Sequence, residues 1–130
     1  MIEIHREKHF LELGELALES GATLRQARLC YQLVGQPNAA RDNLVLVPSY
    51  YGGTHWGSLP LIGAGSPLAD GEHCVVLTNL FGAGWSSSPS QAHATQRGAD
   101  FPRIGLLDNV RAQKQLLDAL FGTDWTLRLV

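Results

Sequence analysis

Four consecutive apolar residues, Leu44-Val45-Leu46-Val47, run straight into Pro48-Ser49-Tyr50-Tyr51-Gly52-Gly53-Thr54-His55. A strand without polar alternation has to be covered on both faces, and strands of that kind belong to parallel sheets flanked by other layers. Cys74 to Leu77 and Leu127 to Val130 are two further short, mostly apolar runs. Roughly 26 and 50 residues separate the three, enough for crossover connections, so they are expected to be parallel. A double-glycine loop at the carboxyl end of such a strand can turn backbone amides towards a ligand.

The amino-terminal part reads differently. From Phe10 to Leu18 and from Thr23 to Val34 the pattern has period two, with Ala27, Leu29, Tyr31 and Leu33 on one face and Gln26, Arg28 and Gln32 on the other. Ser20-Gly21 lies between the runs and Gly35-Gln36-Pro37-Asn38 ends them, which predicts a half-exposed antiparallel edge pair over 10–34. One clear helix is expected from Asn109 to Phe121, with Asp108 as its cap, Gly122 as its terminator and Ala112, Leu116, Leu117, Leu120 and Phe121 as its apolar face. Thr54 to Ile62 allows a shorter helix, against which Pro60 and the nearby glycines work. Gly82 to Pro102, rich in Gly, Ser and Pro, reads as a long loop. These elements predict one partial α/β domain over 1–130: a solvated tail over 1–9, the edge pair over 10–34 and parallel strand/helix units over 43–130, without repeat or linker.

Composition narrows the function classes. Hydrophobic residues make up 45% and charged residues 17%, ordinary for a globular chain. A net charge of −2 with scattered basic residues makes no electrostatic case for nucleic acid or an anionic membrane. No run approaches the ~20 apolar residues of a membrane helix, and the charged start Met1-Ile2-Glu3-Ile4-His5-Arg6-Glu7-Lys8-His9 has no leader-like apolar region. Cys30 and Cys74 both fall in strand-like runs, as small buried hydrophobes suited to a reducing cytoplasm.

Each chemical candidate has a plain structural rival. The Tyr50-Tyr51-Gly52-Gly53 loop is either an amide-presenting turn or simply a turn whose glycines supply positive φ, and spacing alone favours the latter. Gly84-Trp85-Ser86-Ser87-Ser88 approaches a Gly-x-Ser-x-Gly nucleophile elbow, but the fifth residue is serine and Pro89 replaces the helix the elbow needs, so Ser86 is rejected as a nucleophile. Gly82-x-Gly84 lacks the third glycine of a dinucleotide fingerprint. His5 and His9 stand at i, i+4 but are followed by no zinc-protease glutamate. His55 is the one histidine placed beside the glycine loop; His73 and His93 have no partners at metal-ligand spacing, and no metal is expected.

Several segments together resemble the homoserine O-acetyltransferase-like branch of the α/β-hydrolase superfamily. They are Phe10-Leu11-Glu12-Leu13-Gly14, Asn43 through His55, Asn79-Leu80-Phe81-Gly82, Ser86-Ser87-Ser88-Pro89-Ser90, Phe101-Pro102 and Asp108-Asn109-Val110-Arg111-Ala112-Gln113. The likeness runs from about Phe10 to Val130, and the segment at Asp108 with its spacing to the last strand is its most specific part. It implies the N-terminal part of an α/β-hydrolase fold, an antiparallel edge pair followed by parallel strands with about two crossover helices. It also implies that the nucleophilic serine, the acid and the histidine lie beyond Val130.

What remains within the chain, by the same resemblance, is the loop that donates one amide to the oxyanion hole. By position the donor is the backbone N–H of Tyr51, with Tyr50, Gly52 and Gly53 beside the substrate. Family members that are acetyltransferases proper carry His-Ala-Leu-Thr-Gly there, whereas this chain carries Ser49-Tyr50-Tyr51-Gly52-Gly53, which departs from homoserine and acetyl-CoA specificity.

The expected chemistry is ping-pong acyl transfer from a thioester, with acetyl-CoA or another acyl thioester as co-substrate and an alcohol as acceptor. Three readings follow: an acyltransferase or esterase portion inactive by itself, a non-catalytic half-domain that pairs through an exposed last strand, or a small hydrolase using Ser86 or Ser88 with His55 or His93.

Overall fold

The computed structural model describes residues 4–69 and 71–130. Its centre is one five-stranded sheet in the order β1-β2-β4-β3-β5. The strands are β1 (His9–Ala17), β2 (Thr23–Val34), β3 (Leu44–Pro48), β4 (Cys74–Thr78) and β5 (Leu127–Leu129). β1 and β2 form the antiparallel edge pair, β2 joins β4 antiparallel, and β3 lies parallel to both β4 and β5.

Both faces of β3 and β4 are covered, which is why their sequences show no polar alternation. Leu44, Leu46, Cys74 and Val76 pack on one face with Ala112, Leu116, Leu117 and Phe121 of the helix α1 (Leu106–Phe121). Val45, Val75 and Leu77 point to the other face, against Leu59 and Ile62 of a 3-10 helix, His55–Ile62. The period of two is therefore present in β3, hidden because both layers demand apolar side chains.

Three expectations change in detail. α1 begins at Leu106, so Asp108 caps it not from the N-cap position but from the third residue of the first turn. Its carboxylate is buried and accepts from the Gly105 N–H at 2.8 Å and from the Glu19 N–H at 2.9 Å, tying the helix start to the end of the edge pair. The link between β3 and β4 carries only the 3-10 helix, because Pro60 has no N–H to extend an α-helical ladder. β5 is half-covered at Leu127 and exposed at Arg128 and Leu129, since it forms the free edge of the sheet with β3 on one side only.

The edge pair departs from simple alternation as well. Register shifts flank Gly14, whose φ is +67° and which pairs with Ala27, next to Gln26 at φ +46°, and the bulge places Leu24, Ala27 and Leu29 all inward. Gln32, expected on the open face, is buried because residues of the tail lie over it. Glu7 donates its N–H to Gln32 Oε1 at 3.2 Å, and Gln32 Nε2 donates to the His5 carbonyl. The tail expected to be solvated is thus a strap across 4–9, while residues 1–3 fall outside the described ones. His5 and His9 share no helix; His9 opens β1 and its ring meets Glu7 Oε2 at 2.9 Å.

Candidate functional site

β3 has β4 on one side and β5 on the other, so the chain leaves its carboxyl end in one direction and returns to the sheet on the opposite side. In open α/β sheets this reversal opens a crevice beyond the carboxyl ends of the strands, where ligands bind. The Tyr50–Gly53 loop occupies that place. Its entrance is anchored by Ser49, which donates its N–H to the Thr78 carbonyl at 2.7 Å and accepts from the Leu80 N–H at its Oγ, 3.1 Å away. A turn follows, closed by Gly53 N–H to the Tyr50 carbonyl at 3.0 Å, with Gly52 at φ +80°.

The two glycines have different reasons. Gly52 supplies the positive φ at the third turn position. Gly53 leaves room for the Tyr50 ring: a Cβ there would lie 2.2 Å from Tyr50 Cε2, and one at Gly57 would lie 2.4 Å from the Tyr50 hydroxyl. With Tyr50 folded back over these glycines, Tyr51 stands out at the tip, 98% exposed. Its N–H makes no hydrogen bond among the described residues. Tyr51 and Gly52 line a cleft of about 360 Å³ whose opposite wall is Leu80, Phe81, Gly82 and Ala83. That wall is fixed in turn by Phe81 N–H donating to Asn109 Oδ1 at 2.9 Å and Gly82 N–H donating to the Ser87 carbonyl at 2.9 Å.

His55 lies at the far end of the loop but points away from the cleft. It is fully buried, its backbone N–H donating to Asn79 Oδ1 at 3.2 Å and its Nδ1 bonded to Asn79 Nδ2. Nε2 faces two acceptors, the Glu7 carbonyl at 2.8 Å and Gln32 Oε1 at 3.2 Å, so the proton of the neutral ring belongs there. Burial lowers its pKa from the ordinary 6.5. Lys8, 3.7 Å from the Trp85 ring centroid, and the perpendicular Trp56–Trp85 pair close the pocket around it.

The serine run has a structural task. β4 pairs β2 only from Tyr31 to Val34, and beyond that the serines take over the β2 backbone. Ser86 Oγ accepts from Cys30 N–H and donates to the Asn79 carbonyl, at 2.9 and 2.8 Å. Ser87 exchanges bonds with Arg28, and Ser88 Oγ donates to the Ser86 carbonyl at 2.7 Å. All three are buried, and neither His55 nor His93 bonds to any of them among the described residues. A small hydrolase built on Ser86 or Ser88 with His55 or His93 is therefore overturned: His55 is saturated elsewhere, and His93 Nδ1 is occupied by Thr95.

Asn79, Ser49 and Gln32 are the residues sequence reasoning missed. Their one visible signal was a polar side chain abutting an apolar run.

No family model matches the chain. It is 32% identical over 123 residues to an ethyl acetate hydrolase of Pseudomonas veronii, covering 94% of this chain and 35% of that protein. A homoserine O-acetyltransferase of Symbiobacterium thermophilum is 37% identical over 122 residues, with 81% of this chain and 32% of that protein covered. Among solved structures, an acetylester hydrolase from Corynebacterium glutamicum superposes with a TM-score of 0.83 at 30% identity, over 89% of this chain and 34% of that one.

The chain belongs to the homoserine O-acetyltransferase-like branch of the α/β-hydrolase superfamily. It spans about a third of the length of the curated relatives it matches. Within that branch of the α/β-hydrolases, the sheet order and the parallel β4-β3-β5 core are the part of the scaffold this chain supplies.

Proposed function

We propose that the chain is the N-terminal portion of a serine-dependent acyl-transfer enzyme and contributes one half of its oxyanion hole, the backbone N–H of Tyr51. The observation that carries this is a turn tip, unbonded at its amide among the described residues, that lines a cleft at the reversal point of a parallel sheet. In the reaction, a serine oxygen attacks the carbonyl carbon of an ester or thioester, and the carbonyl oxygen gains the negative charge. An N–H fixed in place before the reaction stabilises that charge without reorganisation, and loss of one such donor typically costs about 100-fold or more in rate. The tetrahedral intermediate then expels the alcohol or thiol, and water or an acceptor alcohol takes the acyl group from the serine. Tyr50, Gly52 and Gly53 shape the loop around the reacting carbonyl. The nucleophile, its acid partner and the catalytic histidine come from the portion equivalent to the rest of the relatives' length, so residues 1–130 alone turn over no substrate.

Between the two acyl acceptors, water is favoured over homoserine, and an acetyl ester over acetyl-CoA. Ser49-Tyr50-Tyr51-Gly52-Gly53 departs from the acetyltransferase loop, and an acetylester hydrolase superposes closely. A reducing, cytoplasmic setting fits Cys30 and Cys74, both unpaired and buried.

The test is a chimera in which residues 1–130 replace the matching third of the Pseudomonas veronii ethyl acetate hydrolase. Hydrolysis of a short acetyl ester, with little transfer of acetyl from acetyl-CoA to homoserine, is the expected result. A folded chimera that turns over neither substrate would refute the proposal.

A further inference from the structure

A densely bonded polar pair lies not at the cleft but behind it. His55 and Asn79 bind each other twice, backbone N–H to Oδ1 and Nδ2 to Nδ1. One belongs to the connection after β3 and the other to the connection after β4, and these two connections form the opposite walls of the Tyr51 cleft. The same seam is also tied by Ser49 N–H to the Thr78 carbonyl and by Leu80 N–H to Ser49 Oγ. The outer side of the imidazole holds the strap: its Nε2–H reaches the Glu7 carbonyl, which also accepts from Trp56 Nε1 at 3.1 Å.

We propose that His55 is a positioning residue for the Tyr51 amide: its neutral ring, clamped between Asn79 and the 4–9 strap, sets the separation of the two cleft walls, and protonation releases the setting. A proton on Nδ1 turns that nitrogen from acceptor to donor. It then opposes the Asn79 amide N–H₂, and one of the two His55–Asn79 bonds breaks. Among the described residues, no carboxylate contacts the ring to compensate. The charged groups facing it are Lys8 and His9, both of which disfavour the imidazolium, and the Glu7 carboxylate is turned to His9 instead. Arg6 lies over the outer ring of Trp56, 5.6 Å from its centroid. Gln32, Asn79, Trp56 and Trp85 complete the enclosure without charge.

This inference rests on the Tyr51 loop being the reactive one, yet it is tested without turnover. Amide and imidazole resonances of the chain are followed by NMR from pH 7.5 to 4.5. The Tyr51 and Gly52 amides are expected to shift with the same midpoint as the His55 ring, below the ordinary histidine value, while Ala112 and Leu116 in α1 stay still.

Lys8→Met, which keeps an unbranched stem over the Trp85 ring, removes one of the repelling charges. It should move the His55 midpoint up and carry the Tyr51 midpoint with it by the same amount. Tyr51 and Gly52 signals that stay flat through the His55 titration, or a Tyr51 midpoint that remains in place when that of His55 moves, would overturn the proposal. An inactive chimera together with intact co-titration would count against the oxyanion role alone.

Discussion

At the residue scale, the Tyr50 ring and the two glycines beneath it decide where Tyr51 points. Gly53→Ala places a methyl group inside the Tyr50 ring, which is more than half exposed and must swing aside, at a cost of about 1 kcal/mol. Tyr50→Ala in the same chain should recover most of that loss, read as the shift in urea midpoint. Equal destabilisation in single and double variants would mean the ring is not the obstacle. The cysteines obey a different rule. Burial pushes both thiols up to about 11, so neither is a useful nucleophile at neutral pH. Iodoacetamide at pH 8 should leave both unmodified in the folded chain and alkylate both in denaturant; rapid native labelling would contradict their placement.

At the scale of elements, three hydroxyls replace a missing piece of strand. Ser86→Ala strands the Cys30 N–H in the interior and should destabilise by about 1–3 kcal/mol, the cost of an unsatisfied buried donor. The same variant should leave reactivity towards a fluorophosphonate probe unchanged and absent. Labelling of Ser86 in the parent chain would reverse this assignment.

How far the sequence disclosed these elements follows from the range of the interactions involved. The apolar runs of β3 and β4, the parallel pairing and the inner face of α1 were legible because burial leaves a period in the chain itself. The start of α1 was not: Asp108 looks like the N-cap residue until Glu19, far away in sequence, is seen donating to it. Gln32 looked solvent-facing for the same reason, since what covers it is the strap at Glu7. Tyr51 could be placed only by resemblance, because a turn tip and an oxyanion loop share the same residues and differ in what stands across the cleft.

At the scale of the whole molecule, two features govern behaviour in solution. The free edge of β5 is short but apolar. Leu106, Val110 and Val130 are exposed around a groove of about 440 Å³ and Leu129 is exposed on the strand itself, and we propose this edge as a site of self-association of the chain. Size exclusion should show concentration-dependent association of the chain, and Leu129→Lys should return it to monomer; association unaffected by the lysine would locate the contact elsewhere.

His55 imposes a pH limit on stability. Its folded pKa lies below the ordinary 6.5, so the unfolded chain takes up the proton first. Its contribution is complete above about pH 6.5 and is lost as the pH falls through the folded value. Urea midpoints should therefore decline below that pH in the parent and more shallowly in His55→Gln.

The central claim concerns one N–H, and proline removes an N–H without removing the chain. Tyr51 is the second residue of its turn, a position proline favours, and its amide has no partner to lose among the described residues. In the chimera with the ethyl acetate hydrolase, Tyr51→Ala keeps the donor and Tyr51→Pro deletes it. The measurement is kcat and KM for acetyl ester hydrolysis by the two folded variants. The account predicts near-parental turnover for the alanine variant and a kcat about 100-fold or more lower for the proline variant, with KM little changed. A proline variant as fast as the alanine variant would contradict it.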